Sequence, residues 1–363
     1  MQFCSLPASL WGWCCETTWG EHVMEIEPFR IPLAVPMQTA HGPIHEREGF
    51  LVSVEHAGQY GVGEATPLPG WTESREQCRT ALDRAEAIAT ELDWGIALAK
   101  LDATPAARHG VALALAEARA RTQELPLYQS LGNGHRVSVV PVNATLGSAG
   151  SPRDVARRAS DAVEAGFQTL KLKVGTNGLE EDVERVRAIR NAVGDVDIRV
   201  DANGVWTLTQ AERAIDALAA LDVEYVEQPL SKTALSEHAQ LRGQVDIALD
   251  ESLTAYDVAD VIEADAADVA VLKPMVLGGP DRAVEAAMQF REAGIEPVVS
   301  TTFDAVVART GAVHVAASIP DVRPCGLATA DLLETDLAPD PVPVTDGQIA
   351  VPQDAGLGLP ERP

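Results

Sequence analysis

The chain of 363 residues is long enough for a barrel plus a smaller companion domain sharing ample hydrophobic core. Its 54 acidic side chains outnumber 28 basic ones, a formal charge of −26 that argues against nonspecific nucleic-acid binding and against attachment to an anionic membrane. Arginine fills most basic positions and lysine only five, a composition that fits a halophilic protein, because at molar salt the Debye length is about 3 Å and self-repulsion is screened.

The first two dozen residues carry a Trp/Cys-rich apolar patch without a basic start, so they do not read as a secretory signal. Residues 1–24 read as an ill-fitting extension, with Met24 an alternative start. Cys4, Cys14, Cys15, Cys78 and Cys325 are scattered and odd in number, which suggests neither a disulfide scaffold nor a zinc site and points to a reducing cytoplasm. No stretch approaches the roughly 20 apolar residues that span a bilayer.

Residues 25–130 read as an α+β unit. Ile26 to Ile31 and Gly49 to Val54 alternate as antiparallel strands, joined by a long polar loop containing Ala40-His41-Gly42-Pro43 that could reach an active site. Ser74 with Gln77 three residues on forms a capping-box signature. The Ala/Leu/Glu-rich stretch Glu73 to Leu125 has helical spacing; Thr104-Pro105 divides it as N-cap and first-turn proline, and Pro126 ends it.

Over residues 131–330 the rhythm changes to alternating strands and helices. Strands are expected at Val137 to Ala144, Thr169 to Val174, Ile198 to Ala202, Val223 to Glu227, Ile247 to Leu249, Val269 to Leu272 and Pro297 to Ser300. A last one is expected near Cys325 to Ala328, after a helix from Phe303 to Ser318. Their near-continuous hydrophobicity suits parallel strands covered on both faces, and eight units favour an α/β class (β/α) barrel over an open sheet. Residues 331–363 form a Pro- and Asp-rich tail expected to return to the N-terminal unit.

Polar residues stand at the C-terminal boundary of successive strands: Lys171 and Lys173, Asp201 and Asn203, Glu227, Asp250, then Lys273. In a barrel those boundaries surround one cavity. Lys171 and Lys173, two apart, leave a strand on the same face. Three carboxylates in one cavity repel one another, so a hard divalent cation such as Mg²⁺ is the simplest way to keep them ionised. Lysines on opposite sides of such a site can approach opposite faces of a bound carboxylate, one taking a proton from carbon while the other stabilises or protonates the intermediate.

These motifs resemble the enolase superfamily in its muconate-lactonizing branch, and most closely the o-succinylbenzoate synthase family. The resemblance runs from about Glu25 to Leu337 and includes Gly63-Glu64-Ala65-Thr66-Pro67-Leu68-Pro69-Gly70, Leu170-Lys171-Leu172-Lys173, Val200-Asp201-Ala202-Asn203, Val226-Glu227-Gln228-Pro229-Leu230, Leu249-Asp250-Glu251-Ser252, Lys273-Pro274-Met275 and Ser300-Thr301-Thr302-Phe303. It implies a modified barrel under an N-terminal cap, Mg²⁺ (with Mn²⁺ able to substitute) on Asp201, Glu227 and Asp250, and Lys173 as general base. Lys273 would stabilise the enediolate from the other face, Lys171 would tune Lys173, and Asn203 and Glu251 would support them. Thr39, His41, Trp71, Ser300 and Thr301 are the implied substrate-facing residues, and an ordinary polar loop explains His41 and His45 equally well.

The implied partner is a small-molecule carboxylate; a homo-oligomer is left open. The implied reaction is syn dehydration of 2-succinyl-6-hydroxy-2,4-cyclohexadiene-1-carboxylate to 2-succinylbenzoate. The same lysines suit a racemase of N-succinylamino acids or other N-acylamino acids; muconate cycloisomerisation is less favoured. Dipeptide epimerases of the branch usually carry an Asp-x-Asp near the last strands, which Asp321-Val322-Arg323 lacks. A non-catalytic barrel is the remaining alternative. The charge balance leads to a first expectation: structure or activity is lost on desalting. A melting temperature unchanged between low and multimolar salt would contradict the halophilic reading.

Overall fold

The computed structural model describes residues 24–39, 42–132 and 134–359. The extension ahead of Met24 lies outside them. β1 (Met24–Thr39), β2 (Gly42–His56) and β3 (Gln59–Ala65) form an antiparallel sheet in that order. The first two strands are much longer than the apolar runs suggested, because pairing resumes after an irregularity between Pro32 and Met37 and reaches Thr39↔Gly42. Much of the long loop expected there, Gly42 and Pro43 included, is therefore paired strand, while Ala40 and His41 lie outside the described residues. Pro32 and Pro36 hid the continuation, since proline offers no ladder N–H and marks bulges as readily as strand ends.

Helices α1 (Arg75–Glu91), α2 (Trp94–Ala99), α3 (Pro105–Thr122) and α4 (Leu127–Leu131) follow. The Ser74/Gln77 capping box opens α1. Thr104 is the N-cap of α3 but makes no side-chain cap bond. The Glu73 carboxylate does so instead, accepting from the N–H groups of Ala106 and Ala107 at 3.1 and 2.8 Å. β3 escaped the sequence reading because Gly61 and Gly63 interrupt its apolar pattern. A Cβ at either would strike a carbonyl oxygen of α3, that of Ala114 or Gly110, so the glycines let the helix lie directly on the strand.

The single strand expected over Val137 to Ala144 is divided into β4 (Val139–Pro141) and β5 (Ala144–Leu146). β5 joins β6 (Thr169–Lys173), β7 (Asp197–Asp201), β8 (Val223–Glu227), β9 (Asp246–Leu249), β10 (Val269–Leu272) and β11 (Glu296–Val299) in a parallel sheet of seven strands in chain order. Around it run α5 (Pro152–Glu164), α6 (Leu179–Val193), α7 (Leu208–Ala219), α8 (Leu235–Leu241), α9 (Val258–Glu263), α10 (Pro274–Leu277), α11 (Pro280–Glu292) and α12 (Val306–Ser318). The eighth position is held by single bridges rather than a ladder: Cys325 to Val142 on one side, Gly326 to Ser300 on the other. That closes the curled sheet into a barrel.

β12 (Val344–Thr345) and β13 (Gln348–Ala350) of the tail pair with β4. Farther along, Leu337, Ala338, Leu357 and Leu359 pack with Leu51, Leu113 and Leu127, so the tail touches the barrel as well as the N-terminal unit. Along each barrel strand, residues two apart share a face. Tyr225, Ala248, Val269, Val271 and Val298 form a buried apolar cluster of their own, and Glu227, Asp250 and Lys273 follow Tyr225, Ala248 and Val271 two residues further on. No described helix is long and apolar enough to cross a membrane.

Candidate active site

The strand ends bring Lys171, Lys173, Asp201, Glu227, Asp250 and Lys273 into one network. Lys171 donates to both oxygens of the Glu227 carboxylate at 2.9 and 3.1 Å and stands 3.3 Å from Asp201. Lys173, on the same face of β6, donates to Asp201 at 2.6 Å and to Asn203 at 3.0 Å. The Asn203 amide in turn donates to Glu251 at 2.9 Å. Its backbone φ of +46° lets its own N–H reach back to Asp201 at 3.0 Å, a left-handed conformation that asparagine tolerates. On the other side, Lys273 donates to Asp250 at 2.5 Å, and its ammonium lies 3.6 Å from the centre of the Trp71 ring.

All three carboxylates are buried, and their environments divide them. Burial pushes the Asp201 carboxyl up, but Lys173 and Lys171 beside it outweigh that and hold it well below the usual range. For Glu227, burial and the Asp201 charge prevail over Lys171 and raise the group to about 7. Burial likewise raises Asp250 to about 6 despite Lys273, with Glu251 adding to the rise. Lys171 shows the converse: burial lowers it, yet Glu227 and Asp201 win and keep it firmly protonated.

The donor set suits a hard divalent cation, since every candidate ligand is a carboxylate oxygen from one of three neighbouring strand ends. Two buried oxygens, Asp250 Oδ1 and Glu251 Oε2, have no hydrogen-bond partner, as expected of atoms shaped for another ligand. Among the described residues no three acidic, histidine or cysteine side chains converge as a finished metal cage; each carboxylate is turned to a lysine instead.

The remaining expectations divide. Trp71 reaches the network through Lys273. Ser300 and Thr301 lie just past β11, but their hydroxyls bond the closing segment, Ser300 to the Gly326 carbonyl at 3.2 Å and Thr301 to Thr329 at 3.1 Å. His41 and the side chain of Thr39 lie outside the described residues, and His45 is exposed on β2. Asp321-Val322-Arg323 proves to be the wrong place to seek an Asp-x-Asp: Arg323 pairs with Glu224 and Asp246, at the entry ends of β8 and β9, on the far side of the barrel from the lysines. At the exit end the eighth segment presents Gly326-Leu327-Ala328, without a carboxylate.

The sequence motif Val226-Glu227-Gln228-Pro229-Leu230 assigns Gln228 no role of its own. Buried at a backbone φ of +40°, it accepts the N–H groups of Asp250 and Ser252 at 3.0 and 3.1 Å and donates to Ser252 Oγ at 2.8 Å, fixing the turn that presents Asp250. A polar residue directly behind a strand-end glutamate was the available signal. Glu64, whose motif alone indicates no task, is buried between the cap and α12, accepting from the N–H groups of Ala305 and Ala308 at 2.9 and 2.8 Å.

A parallel barrel whose strand ends carry carboxylates and lysines, covered by an antiparallel cap, is the architecture of a recognisable enzyme class. Residues 154–360 match the family model for the enolase C-terminal domain-like fold, and residues 23–118 match that for the MenC N-terminal domain. The chain belongs to the enolase superfamily. It is 32% identical over 358 residues to a hydrophobic dipeptide epimerase of Enterococcus faecalis, covering 93% of this chain and 98% of that protein. It is 39% identical over 217 residues to an o-succinylbenzoate synthase of Thermobifida fusca, covering 58% of this chain and 66% of that one. Among solved structures, the E. faecalis dipeptide epimerase complexed with Mg and the dipeptide L-Leu-L-Tyr superposes with a TM-score of 0.83 at 29% identity, covering 94% of this chain and all of the other.

Replacing Lys171 with Met leaves Glu227 without its ammonium partner, a loss expected to destabilise the metal-free protein by about 3–5 kcal/mol. Added Mg²⁺ is then expected to raise the melting temperature more in Lys171→Met than in wild type. Equal increments in thermal melts would show that ion and ammonium do not compete for the same charge.

Proposed function

We propose that the chain is a Mg²⁺-dependent o-succinylbenzoate synthase that dehydrates 2-succinyl-6-hydroxy-2,4-cyclohexadiene-1-carboxylate in menaquinone biosynthesis. The reading rests on Gly326-Leu327-Ala328 at the exit end of the eighth segment. A dipeptide carries a free ammonium that calls for a buried carboxylate there, and this segment has none. The match of the N-terminal unit to the MenC domain and the 39% identity to the T. fusca synthase over 217 residues support it.

In this reading Asp201, Glu227 and Asp250 would hold Mg²⁺, or Mn²⁺ in its place, which would supply positive charge for the substrate carboxylate and the developing enolate. Lys173 takes the ring proton beside the carboxylate, and the C–H electron pair enters the enolate system. The hydroxyl then departs from the same face, where the Lys173 ammonium is placed to return the proton, and water leaves as the ring becomes aromatic. Lys273 lends positive charge from the opposite face, Lys171 keeps Glu227 and Asp201 in place, and Asn203 with Glu251 holds Lys173 in line. The free, buried Cys78 and Cys325 suit a reducing cytoplasm, and the acidic surface suits concentrated salt.

The competing reading is racemisation of N-succinylamino acids or epimerisation of dipeptides, favoured by the two facing lysines and by the full-length likeness to the E. faecalis epimerase. Wild type, Lys173→Ala and Lys273→Ala are to be assayed with Mg²⁺ in high salt on the cyclohexadiene substrate, N-succinylamino acids and dipeptides. Dehydration is expected to dominate and to fall on the order of 10²–10⁴-fold in Lys173→Ala. Efficient racemisation or epimerisation with negligible dehydration would overturn the assignment.

A further inference from the structure

The two lysines that face each other are not equivalent. The Lys173 side chain is 33% exposed, whereas that of Lys273 is 11% exposed, enclosed between Asp250 and the Trp71 ring. We propose that Trp71 is a specificity-determining residue that shelters Lys273 and makes the site one-sided, leaving Lys173 alone with free access to a substrate carbon. This rests on the roles given above to the two lysines.

Trp71 is not on a loose flap. The segment leading to it is anchored at its start by Glu64, whose carboxylate accepts from Thr66 Oγ1 and from the N–H groups of Ala305 and Ala308 ahead of and within α12. The buried Arg47 guanidinium donates to the carbonyls of Thr66, Pro67 and Phe303 at 2.9, 3.2 and 3.3 Å, tying the same segment to the loop after β11. Beyond Pro69, a turn with Gly70 at φ +89° is closed by Trp71 N–H to the Leu68 carbonyl at 3.0 Å and by Leu68 N–H to Thr72 Oγ1 at 2.8 Å. The indole face is thus set over the ammonium by contacts spanning cap and barrel, and a cation on an aromatic face is held by the ring quadrupole.

The chemical consequence is selective. Inversion at an α-carbon breaks the C–H bond with one amine, leaves the electron pair in the enolate, and forms a new C–H bond with a proton delivered by the ammonium on the other face. Both lysines must therefore reach the carbon. Syn dehydration needs only Lys173 to move a proton. A roof over Lys273 slows the first reaction, which needs a proton delivered by that amine, whereas the second draws only on its positive charge.

Reductive methylation of the Mg²⁺-loaded full chain in high salt, followed by peptide mass spectrometry, reads the shelter directly. Lys173 is expected to be labelled faster than Lys273, and Trp71→Ala to raise Lys273 labelling on the order of tenfold while Trp71→Phe, which keeps an aromatic face, restores protection. In D₂O with N-succinylamino acids, the ratio of inversion to α-proton exchange is expected to rise in Trp71→Ala. Equal labelling of the two lysines in wild type, or Lys273 labelling unaffected by Trp71→Ala, would overturn the inference. Labelling does not depend on dehydration, so failure of the synthase assay leaves this result readable, and the reverse holds as well.

Discussion

Three carboxylates at the ends of β7, β8 and just past β9 are buried side by side, and the mouth of the barrel is organised around neutralising them. Each buried ion costs several kcal/mol in lost hydration, and mutual repulsion adds to that. Lys171, Lys173 and Lys273 supply the matching positive charge at hydrogen-bond distance. The chain's other two lysines, Lys100 and Lys232, are exposed. Lysine is the suitable cation here because its ammonium is a compact point charge that can change partners and protonation state, which a guanidinium does not do. Gln228, Asn203 and the turn that presents Asp250 serve to keep this charge balance in place.

Much of this was readable in the sequence because strand and helix periods are local. Lys171 and Lys173 on one face, and successive acidic strand ends, require only the two-residue alternation and the βα rhythm. What escaped depends on contacts between distant segments. The eighth barrel position is a pair of bridges at Cys325 and Gly326, too short for a hydrophobic pattern to mark. Pairing of β1 with β2 runs on beyond a proline-containing bulge, which no apolar run signals. Glu64 looks like a polar residue at the end of a strand; its task is visible only when α12, some 240 residues away, presents two N–H groups to it. Asp321 was placed near the last strand by its number, yet the chain crosses to the opposite end of the barrel there.

Superfamily membership fixes the type of chemistry more tightly than the substrate. The relatives named above include an epimerase and a synthase, so a shared fold leaves room for both outcomes at a similar site. Around the lysines of this chain stand the carboxylate-free eighth segment on one side and Trp71, carried by the cap and secured by Glu64 and Arg47, on the other. The cap is therefore part of the site, because one of its side chains touches a lysine of the constellation directly.

The central proposal is that the three carboxylates form the seat of a divalent cation with the lysines beside it. Anomalous diffraction from crystals soaked in Mn²⁺ tests it most directly. The account predicts a single strong peak within coordination distance of oxygens from Asp201, Glu227 and Asp250. A peak elsewhere, or none at these three carboxylates, would contradict it.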